Sequence, residues 1–145
     1  MDTEDGSMGN ECEEYVREKM KLMPRFLKPI CEVWPEAAKK FADFYDEIWG
    51  DGALERKIKE LMFTAIGVAT ASPRCIVHVI AAVEAGATDE EILEAVAVGF
   101  IGAGFYPNNP GIPYAFEYAA KTLEIAQKYR KGEDWEYLKP PEFRG

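Results

Sequence analysis

The sequence predicts an all-α protein, a compact bundle of about six helices. Three observations carry this. Apolar residues recur at three- and four-residue spacing along most of the chain, no run alternates with period two over a strand's length, and prolines, glycines and capping residues punctuate the periodic stretches. No repeat of 20 to 50 residues interrupts the pattern. At 145 residues the chain has the length of one domain. A domain of that size buries roughly 70% of its unfolded surface, enough for a core without disulfides or structural metal.

Taken in order, residues 1–10, MDTEDGSMGN, are acidic and Gly-rich and are expected to be flexible, with no basic and apolar runs of a secretory signal. Glu11 to Met23 has apolar positions at Cys12, Tyr15, Val16, Met20 and Met23, a first helix that Pro24 stops. RFLKPICEVWP has two prolines six residues apart and reads as broken turns whose Phe26, Leu27, Ile30, Val33 and Trp34 seek burial. Pro35 suits a first helical position, and a second helix runs to Trp49, where Gly50-Asp51-Gly52 ends it.

A third helix spans about Leu54 to Ala71, charged at its start and apolar on nearly every side from Leu61 onward, which predicts burial of its C-terminal half. Ser72-Pro73 is an N-cap followed by proline at the first helical position, so a fourth helix runs from Pro73 to about Ala85, closed by Gly86 as a left-handed C′ residue. Thr88-Asp89-Glu90-Glu91 is a capping box opening a fifth helix to about Ile101. Gly102-Ala103-Gly104 and YPNNPGIP form a loop, and Pro113 to Lys131 supplies the last helix. The tail from Gly132 to Gly145 has no period but carries Trp135, Tyr137, Leu138 and Phe143, the composition of a strap across a neighbour.

Charge and composition exclude several functions. A formal charge of −9 opposes phosphate backbones and anionic lipid surfaces, so nucleic-acid and membrane partners are not expected. No apolar run reaches the 18 or more residues of a spanning helix, and the expected setting is soluble and cytoplasmic. Cys12, Cys31 and Cys75 are odd in number and match no zinc spacing, so reduced thiols and no structural metal are expected. No dinucleotide fingerprint or phosphate loop appears, and no bound cofactor is required.

The chemical lead is His78, the only histidine, three residues after Cys75. On a helix, Ala71, Cys75, His78, Ala82 and Ala85 share one face, small residues around a thiol and an imidazole. An adjacent imidazolium and a helix N-terminus would favour the nucleophilic thiolate. The plain alternative is that both are core or interface groups, and the residues leave both readings open. Glu60, Thr64, Gly67 and Ala71 form a second small or polar stripe, whose plain reading is helix contact. A hairpin closing at Ser72 would put Glu60 about 18 Å up one arm and His78 about 9 Å up the other, so that Gly67 faces His78. A Glu60 to His78 relay would then need a steep crossing, a bridging water or a neighbouring subunit.

DGALERKIKELMFTAIGVA, a short turn, CIVHVIAAVEAGATDEEILEAVAV and Gly102-Ala103-Gly104 together resemble the carboxymuconolactone decarboxylase and alkylhydroperoxidase D superfamily, over residues 51–104. The resemblance implies an oligomer, trimeric or hexameric, acting on a small-molecule substrate. In the family's thiol branch a glutamate stands twelve residues before a Cys-x-x-Cys, with a histidine four residues after its second cysteine. Counted from Glu60, Ser72 and Cys75 take the cysteine positions; counted back from Gly86, Arg74 takes the second. This chain is therefore one residue shorter between thiol and histidine. Ser72 cannot form the disulfide of a two-cysteine cycle. The resemblance then implies a one-cysteine peroxidase cycle with Cys75 as nucleophile, His78 as base and Glu60 as orienter, resolved by an external thiol or by Cys12 or Cys31. Its decarboxylase branch implies instead acid/base chemistry at His78, with Arg74 and Ser72 near a substrate carboxylate. A non-catalytic oligomeric member is the third reading.

Overall fold

The computed structural model describes residues 3–72, 78–104 and 112–135. Seven helices lie among them: α1 (Thr3–Met20), α2 (Leu27–Val33), α3 (Pro35–Trp49), α4 (Arg56–Ala69), α5 (His78–Glu84), α6 (Asp89–Gly104) and α7 (Ile112–Arg130). No strand occurs among the described residues, so the all-α class holds. The chain gathers into two compact units, Met1–Asp51 and Gly52–Gly145, divided at the Gly50-Asp51-Gly52 break. Length alone suggests one core; the described residues form two.

The first unit holds α1, α2 and α3 around Cys12, Val16, Met20, Leu27, Cys31, Ala38 and Ala42. Two features differ from the sequence reading. The broken turns expected in RFLKPICEVWP are helix α2, because Pro29 falls in its first turn, where the missing N–H would have no intrahelical acceptor in any case. The thiols expected to be reduced are not: Cys12 of α1 and Cys31 of α2 form a disulfide with both residues buried. Its two halves come from a helix and from a segment whose helicity the prolines hide. Neither thiol is then available to resolve Cys75. The first helix also starts at Thr3, well before Glu11.

The second unit packs α4 against α5, α6 and α7, with Leu61, Val68, Val79, Ile92, Val96, Tyr118 and Ile125 in its core. Its junctions follow local chemistry. The capping box forms as expected: Glu91 N–H donates to Thr88 Oγ1 at 3.2 Å and Thr88 N–H to Glu91 Oε2 at 2.9 Å. Gly86 takes φ +94°, with Ala87 N–H donating to Ala82 C=O at 2.9 Å, the 6→1 bond of a Schellman ending. Glu91 also pairs with Lys57 of α4 at 3.0 Å, tying two helix starts together. Helix α6 runs on through Gly104, three residues past the expected end at Ile101.

Candidate active site

The site is built where α4 passes α5. Thirteen positions of α4 follow Arg56, and the stripe Glu60, Thr64, Gly67 faces inward and is buried. Thr64 Oγ1 donates back to the Glu60 carbonyl at 2.7 Å, so its hydroxyl is satisfied within the helix. The Glu60 side chain is fully buried. One of its oxygens, Oε2, lies 2.7 Å from Nδ1 of His78, the first residue of α5. The other, Oε1, lies 3.4 Å from Nε of Arg56 one turn earlier on α4. Phe63 packs its ring against the imidazole, with centroids 4.2 Å apart and planes at 61°.

The hairpin expectation is therefore overturned: Glu60 and His78 meet directly, with no intervening water or subunit. The arithmetic assumed unbroken helical rise as far as Ser72. Helix α4 ends at Ala69, not at the turn. Ala71 then adopts φ +51°, with Ser72 N–H bonded to Gly67 C=O at 2.8 Å and Ala71 N–H to Val68 C=O at 3.3 Å. This is a Schellman ending with alanine at the left-handed position. Ser72 thus serves as the C″ residue of α4. Cys75 and Arg74 lie outside the described residues.

A carboxylate on Nδ1 dictates what the ring can do. With Nδ1–H donating to Glu60, the lone pair is on Nε2, which becomes the nitrogen able to take a proton from a substrate or a thiol. Burial of the carboxylate shields the contact from water and strengthens it. Arg56 and Phe63 are members of the site that the sequence reading missed. Arg56 had a signal, four residues before a glutamate on one helix face; Phe63 had none beyond apolarity. Among the described residues no group of three or more His, Cys, Asp or Glu is placed to hold a metal ion.

A sequence model of the carboxymuconolactone decarboxylase family matches residues 35–121, more than half of the chain. The chain belongs to this family. Two solved structures agree with it in fold. A protein from Burkholderia xenovorans LB400 described as a carboxymuconolactone decarboxylase superposes with a TM-score of 0.66 at 20% identity, over 88% of this chain and 95% of that one. A carboxymuconolactone decarboxylase family protein from Legionella pneumophila, in its apo form, superposes with a TM-score of 0.60 at 26% identity, over 83% and 97%. No protein of curated function matches the chain. The family match spans Glu60 and His78, so the dyad lies inside the region that defines membership.

Proposed function

We propose that this family member is a proton-transferring enzyme in which His78, oriented by Glu60, is the base for the thiol of Cys75, in an alkylhydroperoxidase D-like reduction of a small hydroperoxide. The observation that carries the reading is the 2.7 Å contact between Nδ1 of His78 and a fully buried carboxylate. Nucleophile, base and orienting acid are the three parts of an activated-nucleophile site, and the contact of His78 with Glu60 supports reading them as the last two.

In the reaction, Nε2 takes the thiol proton and the Cys75 thiolate attacks one peroxide oxygen. The O–O bond breaks, the sulfur becomes a sulfenic acid, and the alcohol leaves with the proton returned by the imidazolium. Ser72 cannot resolve the sulfenic acid, and Cys12 and Cys31 are joined to each other. An external thiol therefore attacks it, releasing water and forming a mixed disulfide, and a second thiol restores Cys75 and leaves as the disulfide. The enzyme works as a homo-oligomer in this reading, supported by the exposed apolar stripe Ile58, Met62 and Ile66 along α4.

The absence of a second cysteine at Ser72 favours a second reading, decarboxylase-like acid/base chemistry on a small carboxylic acid. It needs only the dyad, with Arg74 to hold the substrate carboxylate.

Peroxide consumption with a small dithiol reductant separates them. The first reading expects C75S to be inactive and H78A to lose roughly 100-fold or more. Peroxide reduction retained by C75S would sink it and leave the dyad to the second reading. Wild-type protein inert toward hydroperoxides and small lactone acids alike, though folded, would favour a non-catalytic member.

A further inference from the structure

The start of α4 carries three cations behind a single acid, the N-cap Glu55. Its first residues include Arg56, Lys57 and Lys59, and its first turn has no acid, although the positive end of a helix dipole disfavours cations. Lys57 is explained by its 3.0 Å pair with Glu91 of α6. Arg56 pairs within its own helix, to Glu60, in the order Arg before Glu that supports a helix least. Helix stability does not account for it.

The burial of the pair does. The Arg56 side chain is only 13% exposed and that of Glu60 is not exposed at all. A neutral imidazole can hydrogen-bond a carboxylate but cannot cancel its charge, and a buried carboxylate left uncancelled takes up a proton instead. A guanidinium stays charged at any working pH. With it beside Oε1, the sum of charges on Arg56, Glu60 and a neutral His78 is zero.

We infer that Arg56 is a positioning residue for the candidate base: its guanidinium balances the buried Glu60 carboxylate from 3.4 Å away on the Oε1 side, while Oε2 accepts the Nδ1–H hydrogen bond of His78. The inference rests on the dyad reading above and adds the group that makes it work. Among the described residues, the charged groups facing the imidazole across the α4–α5 contact include Glu60 and, through it, Arg56. On α5 itself Glu84 lies six residues further along and accepts from Tyr129 of α7.

Because His78 is the only histidine, its tautomer can be read without interference from a two-bond 15N–1H correlation spectrum of the full-length protein, recorded at about pH 8.5 where an ordinary imidazole is neutral. Wild type is expected to show the Nδ1–H form. R56Q is expected to lose it, giving Nε2–H or a mixture, and R56K to restore it by returning the charge. Should R56Q fail to fold, R56M keeps the buried stem without the charge and carries the same comparison. E60A, which removes the acceptor, is the reference. An R56Q or R56M spectrum identical to wild type, with E60A altered, overturns the inference and leaves the dyad intact. An E60A spectrum that keeps Nδ1–H overturns the dyad reading as well. A merely structural Arg56 would change the melting temperature and not the tautomer.

Discussion

Ala71 holds the left-handed position that ends α4, at φ +51°, where a Cβ costs about 1 kcal/mol or somewhat more. Glycine removes that strain but loses more chain entropy on folding, so A71G is expected to gain about 0.5 kcal/mol net in denaturant unfolding. A71V, β-branched in the same conformation, is expected to lose at least about 1 kcal/mol. Equal stability of all three proteins would show that the turn is not left-handed. The comparison with Gly86 shows why one ending was legible and the other was not. Glycine after an apolar period is the usual mark of a left-handed C′ residue, whereas alanine carries no such mark.

Elements are held by their ends and by one covalent link. The Thr88 hydrogen bond, and after it the Lys57 pair, hold the Glu91 carboxyl below the usual glutamate range. A carboxylate whose folded value is depressed stabilises the fold above its unfolded value and ceases to do so as pH falls through the lower folded one. The difference in melting temperature between wild type and E91Q should therefore be present at neutral pH and vanish in acid below the ordinary glutamate range. A difference that persists or grows there would contradict the capping role. In the first unit, the Cys12–Cys31 bond closes a loop 19 residues long in sequence separation, which is worth about 3 kcal/mol by chain entropy. A reductant able to reach the buried bond, or the C12S substitution, should lower stability by that order; an unchanged melt would mean the bond is absent in solution. The capping box was readable because all its partners lie within four residues. The disulfide was not, because odd cysteine number and a 19-residue gap give no pairing until α2 is known to be a helix facing α1.

At the scale of the second unit, one close approach decides how α4 and α6 pack. A Cβ built on Gly99 would meet the Ala65 carbonyl oxygen at 2.6 Å. That contact is with backbone, so it cannot be relieved by turning a side chain. G99A is expected to cost about 1–3 kcal/mol, as overpacked cores do, despite alanine's better helix propensity. A G99A protein as stable as wild type would mean that the two helices stand further apart. Within the sequence this glycine looks like any other in an apolar helix.

The sequence by itself determined the all-α class, most helix positions, the capping box, the Gly86 ending and the family, because each of these rests on periodicity or on residues within a few positions of one another. Tertiary structure alone decided that Pro29 sits inside a helix, that Cys12 bonds Cys31, that Gly99 admits a neighbouring backbone, and that Glu60 reaches His78 directly with Arg56 behind it. These depend on where separate helices cross, and a crossing is set by the packing of whole faces, which residue spacing along the chain does not encode.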